Sequence, residues 1–464
     1  MPVRTNPSEV SSDDLRELVR GSVLTPSDAG YGEAIGAWKL TAVHTPSIVI
    51  VPADADDVAA AVRYAADARL GIGVQSTGSG PVCQIDGMLV VTSRMNGVTV
   101  DPDARTATIQ AGCTSGPVLA AAHKHGLAPL IGSVPSVGAV GFTLGGSVGW
   151  LSRKYGPACD AVRSFNVVTP DGCLVHASAT DNRDLFAALR GGGGGALGVV
   201  TTMEIDLFPV TTVYAGNLLY PASAAAEVTQ SYARWVAGAP DDLTSSVVFM
   251  NFRPSPDVPE PMRGQSFLMV RGCWSGDLAE GRRFVDSFRA AMPPVIDTWQ
   301  EMPFAESASI SSDPAGPAPV VATGGWLTGL DGSVAAIVAA GTFPAAGPPP
   351  VIFTEIRHLG GAISRNVTTS ESVMGNRDQQ FLFHAIAITT DHSGRLAATA
   401  GQARLGEALS DHRSGGTHHN FLDGNARRRS TRSSTDPAQH DRLAALQGRL
   451  DPGDLMRYGV THAN

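Results

Sequence analysis

Residues 131–149 carry glycine at 132, 138, 141, 145, 146 and 149, interleaved with serine, alanine and valine. So many small residues exclude both a long helix and a packed strand, and a loop of this composition lets backbone approach something closely. Two more glycine runs, Ser76-Thr77-Gly78-Ser79-Gly80-Pro81 and Gly191–Gly198, lie beside strand-helix units. Alone, each is a turn. Together they suit a nucleotide held by non-helical loops whose peptide N–H groups face the phosphates. The usual dinucleotide fingerprint fails. Gly191–Gly195 follows a helical pattern and precedes a strand, and Gly78-Ser79-Gly80 runs into Pro81 with no helix behind it. The phosphate-loop pattern is absent.

The flanking pattern is that of a mixed α and β chain. Ile48-Val49-Ile50-Val51 reads as a buried strand stopped by Pro52, and residues 54–69 as an amphipathic helix with acids in its first turn. Strands are expected at 88–92, 97–100, 106–110, 163–169, 173–178 and 199–207. Helices are expected at 118–125 and 184–190, after a helical lead-in over 10–38. Beyond Pro209 the texture changes, with strands at 245–251, 266–271, 351–357 and 381–387 and helices at 222–236, 277–292 and 332–340. A proline-rich connector spans 344–350. The end shows a helix at 400–410, a strand near His418–Phe421 and a helix at 437–449. Two lobes follow, the second interrupting the first.

Length and composition suit two folded cores. A net charge of −9 argues against general attraction to nucleic acid or an anionic membrane. The single basic cluster, Arg427-Arg428-Arg429 with Arg432, reads as a solvated loop. No stretch is long and apolar enough to span a bilayer, and the N-terminus lacks an apolar signal core. Five cysteines without C-x-x-C spacing point to reduced thiols and a cytoplasmic compartment. The Ala-, Gly- and Arg-rich composition suggests a bacterium with a GC-rich genome. Hydrolase elbows, H-E-x-x-H pairs and calcium loops are missing, so no metal site is expected.

Many ordered blocks carry a resemblance. They include Val51-Pro52 with Asp57-Val58, the 74–81 loop, Ser93-Arg94-Met95-Asn96-Gly97-Val98 and Pro135-Ser136-Val137-Gly138. Thr143-Leu144-Gly145-Gly146-Ser147-Val148-Gly149-Trp150-Leu151, Arg153-Lys154-Tyr155-Gly156, Gly198-Val199-Val200-Thr201, Asn420-Phe421-Leu422 and Asp451-Pro452 continue it. The chain resembles the FAD-linked oxidases of the vanillyl-alcohol oxidase (PCMH-type) superfamily, berberine-bridge-enzyme branch. The resemblance implies an α+β fold in which a PCMH-type FAD-binding domain is interrupted by an α/β substrate domain with an antiparallel sheet. The segments expected are 1–209, 210–405 and a return over 406–464. It implies that 74–80 and 132–146 wrap the pyrophosphate and isoalloxazine, with 190–200 near the adenosine. The FAD-binding candidates are then Ser76, Thr77, Gly78, Ser79, Gly80 and Pro81. Ser136, Val137, Gly138, Ala139, Gly141, Phe142, Gly145, Gly146, Gly149 and Trp150 join them, with Gly198, Val199, Val200 and Asn420.

The chain departs from that family at telling places. Ser79 replaces the histidine that bonds the flavin, and Val134 stands where doubly linked members carry cysteine. Serine is no nucleophile for this chemistry without activation, so noncovalent FAD of lower oxidising power is expected. Cys83 is a nearby alternative attachment point, although Pro81 and Val82 should carry it away from the loop. His418 sits where a tyrosine often precedes Asn420, and is the preferred acid/base candidate. In Phe353-Thr354-Glu355-Ile356-Arg357-His358, alternation puts Glu355 and Arg357 on one face and His358 on the other. Glu355 is a candidate base and Arg357 an anchor for an acidic substrate, against the plainer alternative of a structural pair. Tyr458 is a third candidate beside a core-tyrosine reading.

The function expected is an FAD-dependent oxidoreductase on a small or polycyclic secondary metabolite, returning electrons to molecular oxygen, as a monomer or homodimer. The rivals are a redox-neutral cyclase or isomerase with FAD structural or absent, and a non-catalytic binding protein.

Overall fold

The computed structural model describes residues 12–80, 83–313, 316–345, 349–365, 371–389, 391–423, 431–435 and 437–460. Pro81 and the Arg427-Arg428-Arg429 cluster lie outside the described residues.

Ser22–Leu24 (β1), Ile48–Val51 (β2), Ile72–Gln75 (β3) and Met88–Val91 (β4) form a sheet in the order β1-β2-β4-β3, with β4 parallel to both β2 and β3. The crossover from β2 to β3 is the helix Ala55–Asp67. Asp54 caps it by accepting from the amides of Asp56 and Asp57, which satisfies donors a helix start leaves open. Its stripe of Val58, Ala61, Val62 and Ala65 is fully buried, as the 3.6-residue period requires. A second sheet joins Val98–Asp101 (β5), Thr106–Gln110 (β6), Val162–Val168 (β7), Leu174–Ser178 (β8) and Val199–Asp206 (β9) in the order β5-β6-β9-β7-β8.

The third sheet is antiparallel and holds the site. It contains Thr212–Pro221 (β10), Leu243–Asn251 (β11), Ser266–Trp274 (β12), Ile296–Asp297 (β13), Gln300–Pro303 (β14), Val320–Leu327 (β15), Phe353–His358 (β16) and Phe381–Ile388 (β17). The order is β13-β10-β12-β11-β16-β17-β15, with β14 also beside β10. Helices Ala225–Val236, Leu278–Ala291, Gly332–Thr342 and His392–Ala408 supply Val228, Tyr232, Phe288, Val334 and Leu405 to one core. Leu218, Val247, Phe249, Leu268, Ile356 and Phe383 of the sheet pack into it. Each such side chain contributes roughly 1.5–3 kcal/mol by leaving water. Because side chains alternate along a strand, the neighbours of those residues must face the opposite side, toward the first two sheets. The C-terminal helix Pro437–Leu450 returns Leu443 and Leu446 to the second sheet's core, and Leu455 and Met456 reach the first.

Several expected elements differ. The lead-in is a short helix, Ser12–Leu18, then β1 and a single turn at Tyr31–Ala34, because Gly21, Pro26 and Gly30 break it. The helix expected at 400–410 begins at His392, where Asp391 accepts from the amide of Gly394. His418–Phe421 is not a strand: His419–Phe421 is a 3-10 turn capped by His418, whose Nδ1 accepts from the Asn420 amide. β10 and β15 were not expected; Gly216 and the Gly324-Gly325 pair obscure their alternation.

Candidate functional site

One cavity of about 900 Å³ lies between the glycine loops and the free face of the third sheet. That is near the top of the range of about 300–1,000 Å³ for small-molecule sites. The loop side includes Ser76, Thr77, Gly78, Ser79 and Gly80, then Ser136, Val137, Gly138, Gly141 and Phe142, then Gly198, Val200 and Asn420. Val134, Cys83, Gly194 and Gly195 line it too.

The loops come together because their glycines remove side chains where two backbones meet. A Cβ on Gly138 would lie 2.9 Å from Ser76 Oγ, and one on Gly78, whose φ is +66°, would strike Ala37. The 36–40 segment is bound to the first loop by Trp38 N–H donating to Thr77 O at 2.9 Å and Lys39 N–H to Gly78 O at 3.1 Å. Lys39 pairs with Asp423, whose other oxygen accepts from the Ala322 amide at 2.6 Å, tying the strap to β15.

Other glycines of the expected set pack against protein and lie off the cavity wall, which corrects their expected placement. Gly145 makes room for Asn420, Gly146 (φ +97°) for Met374, and Gly149 for the carbonyl of Ile131; none of the three reaches the cavity wall. Ala139 and Val199 point into apolar cores, and Trp150 is buried among Ile131, Leu151 and Phe304. Asn420 lines the cavity, but its Nδ2 donates to Phe142 O at 2.9 Å.

The register of the third sheet arranges the opposite wall in rows. Asn217, Arg271, Ser246 and Arg357 are successive cross-strand neighbours on β10, β12, β11 and β16. The next row runs Leu219, Met269, Val248, Glu355, His384, and the one after it Phe267, Met250, Phe353, Ile386. Polarity therefore falls from one row to the third.

Glu355 is the hub. Its Oε1 accepts from Ser246 Oγ at 2.7 Å, Arg271 Nη2 at 2.6 Å and Arg271 Nε at 3.2 Å, and its Oε2 from Arg357 Nε at 2.9 Å. Burial works to raise its pKa, but the guanidinium groups of Arg271 and Arg357, with their hydrogen bonds, hold the carboxyl well below the usual range. A carboxylate so held is a poor proton acceptor, so the geometry makes Glu355 an anchor. The expected Glu355–Arg357 pair is present, while Arg271 is a partner the sequence did not reveal.

His418 does not line the cavity. It is 3% exposed, packed against Trp326 and Phe421 at ring distances of 6.1 and 5.1 Å. Burial, then Arg357, pushes its pKa down to about 3. Turning 418–421 into a 3-10 element aims this side chain inward. The histidine that lines the cavity is His384, opposite Glu355 on β17 and 4.6 Å from the Phe421 ring. Burial first, and Arg357 next, lower its pKa to about 3, so its imidazole is neutral. Tyr458 lines the cavity elsewhere: its hydroxyl donates to Asp86 and accepts from the Gly87 amide at 3.0 Å. It packs beside Val49 and Leu89 of the first sheet, apart from Glu355. Cys83 is on the cavity wall after all, 8% exposed.

The loop end fits a flavin nucleotide on its own chemistry. Trp38 Nε1 and Ser76 Oγ are buried there without a partner among the described residues, and buried polar groups need one. A Cβ on Gly80 or Gly141 would meet nothing within 4 Å, so the wall is open at these points. Ser79 Oγ lies 3.0 Å from Thr77 Oγ1.

Comparison with known proteins agrees with this geometry. Residues 46–178 match the family model of an FAD binding domain. The chain superposes on 6-hydroxy-D-nicotine oxidase from Arthrobacter nicotinovorans with a TM-score of 0.80, covering 98% of this chain and 99% of that one at 23% identity. It also superposes on a berberine-bridge-like protein of Physcomitrella patens with a TM-score of 0.83, over 97% of both chains at 20% identity. The chain has the fold of PCMH-type FAD-binding oxidases. In sequence it is 37% identical over 193 residues to (R)-6-hydroxynicotine oxidase of Paenarthrobacter nicotinovorans. That alignment spans 41% of this chain and 42% of the relative. Among the described residues no helix is long and apolar enough to cross a membrane.

Proposed function

We propose that the protein is an FAD-dependent oxidoreductase that holds its flavin noncovalently and acts on a small or polycyclic metabolite. One observation carries this reading: a single cavity joins the glycine loops, with their unpartnered polar atoms, to a charged and apolar sheet face. FAD, when bound, supplies the acceptor for a substrate hydride. Ser76, Trp38 and the open backbone at Gly80 and Gly141 would hold it. Ser79 and Val134 offer no bond to the ring, which supports noncovalent binding. On the opposite wall Glu355 fixes Arg271 and Arg357. Neutral His384 takes a hydrogen bond from a substrate O–H or N–H at its unprotonated ring nitrogen. The apolar row of Met250, Phe353 and Ile386 keeps water from that end of the chamber.

The test is an absorption spectrum of the purified protein before and after acid precipitation. Yellow colour released to the supernatant supports the proposal. Colour retained in the pellet overturns the noncovalent part and directs attention to Cys83. A colourless protein that takes up no added FAD overturns the whole reading, and substrate turnover without oxygen consumption would favour redox-neutral chemistry.

A further inference from the structure

The arginines on the sheet face are held in place yet not saturated. Arg271 has 5% of its side chain exposed and Arg357 20%. Their bonds to Glu355 use Nε and Nη2 of Arg271 and Nε of Arg357, while Arg357 Nη1 donates to Val148 O at 3.2 Å. Arg271 Nη1 and Arg357 Nη2 have no partner among the described residues. Both side chains belong to the cavity wall. Each guanidinium lies against a ring: Arg271 is 5.7 Å from the Trp150 centroid and Arg357 5.0 Å from that of Phe421, which also lines the cavity.

Among the described residues no acceptor fills these positions. Glu355 already receives four hydrogen bonds, from Ser246, Arg271 and Arg357. Asp313, half-buried at the rim and 3.4 Å from Ser133 Oγ, acts on Arg271 through space with no ion-pair contact. His384 is neutral. Two rows away, Met250, Phe353 and Ile386 form a wall with no charge. A ligand seated across the rows meets arginine donors at one end and apolar surface at the other.

We infer that the substrate is an amphipathic monoanion, its oxyanion received by Arg271 and Arg357 and its apolar body laid against Met250, Phe353 and Ile386. The inference rests on the cavity being the substrate site of the proposed oxidoreductase. Arg271 and Arg357 are then the residues that set specificity. Preformed guanidinium donors favour a carboxylate or phenolate over a neutral amide of the same shape, because only the anion adds ion–ion attraction to their hydrogen bonds, and a carboxylate can accept two of them side by side.

The experiment uses the purified holoprotein with 2-naphthoate, 2-naphthamide and acetate as probes at pH 7. Binding is read twice, by perturbation of the flavin spectrum and by calorimetry. The inference expects 2-naphthoate to bind at least about tenfold tighter than 2-naphthamide, and acetate, which lacks the apolar body, not to register. Glu355→Gln, which leaves both arginines without their internal carboxylate, should widen the preference for the anion. Arg271→Met should abolish it. Equal binding of the two naphthyl probes to the wild-type protein overturns the inference without recourse to any variant, as would happen if these arginines serve the flavin instead. Calorimetry keeps the two failures apart: a protein without flavin gives no spectral change but still reports the charge preference.

Discussion

Replacing Gly141 separates holding the fold from holding the flavin. The residue sits in the short helix Ala139–Leu144 at an ordinary helical backbone angle, and a Cβ there meets nothing within 4 Å. Glycine in a helix costs about 0.8–1.0 kcal/mol relative to alanine. Gly141→Ala should therefore stabilise the apoprotein by up to about 1 kcal/mol, read as a higher urea midpoint at unchanged slope. Gly141→Leu keeps most of that gain but projects a branched side chain into the cavity on the loop side. If the flavin ring lies there, displacing it is an overpacking event of about 1–3 kcal/mol. At about 1.4 kcal/mol per tenfold, FAD binds roughly 5- to 150-fold more weakly. The assay is quenching of FAD fluorescence on titration with apoprotein. Unchanged affinity in Gly141→Leu would refute the placement of the flavin against this helix. Loss of apoprotein stability would refute the open space itself. Gly149→Ala is the contrast: its Cβ would collide with the backbone carbonyl of Ile131, so apo and holo forms should lose stability together, by at least about 1–3 kcal/mol.

Cys83→Ser should leave acid release of the flavin unchanged, whereas a thioether link would make release appear only in the variant. For Glu355 the folded pKa lies below the unfolded one, so its ion pairs stabilise the protein above about pH 4.3. That contribution fades as pH falls toward the folded value; urea unfolding from pH 6 to 2.5 should show a shallower acid loss in Glu355→Gln than in the wild type. Arg377→Met removes two bonds to Asp160, at 3.1 and 2.6 Å, from a residue 4% exposed. It should cost about 3–5 kcal/mol, and a shift below about 1 kcal/mol in the urea midpoint would count against a tight buried pair. Asn420→Ala removes one donor to Phe142 O while Ser147 Oγ and the Gly145 amide remain, so it should cost only about 0.5–1.5 kcal/mol, measured the same way.

The fold was legible because its strongest signals are local. The crossover helix Ala55–Asp67 announces itself by an Asp cap and a clean apolar stripe, and the glycine loops by composition alone. Division of labour among the glycines was not legible. Gly141 and Gly149 lie in one run of small residues, yet one opens on the cavity and the other on the Ile131 carbonyl; only the partner backbone tells them apart. Likewise Ser79 stands where the resemblance places the flavin-linking histidine, whereas Cys83, expected to lie away from the loop, lines the same cavity.

The exchange of His418 for His384 has a more specific cause. Alternation in Phe353–His358 correctly paired Glu355 with Arg357, since both neighbours lie within one strand. Arg271 and His384 join them only through the registers of β12 with β11, and of β16 with β17. Cross-strand register is not a local property, so Arg271, the Glu355–Arg357 pair and the neutral His384 gave no common signal. His418, by contrast, drew attention through its place in a motif, and its 3-10 geometry then turned it into the core. The same register ties binding to architecture. Arg357 donates to Val148 O and Arg271 stacks on Trp150, so the groups offered to a ligand also fasten the sheet to the loop between 147 and 150. A substitution at either arginine perturbs both roles, while Glu355→Gln touches neither loop contact. The discriminating variant is therefore the carboxylate at the centre of the network, and the direction of its effect on anion binding, tighter rather than weaker, is what a purely structural role would not produce.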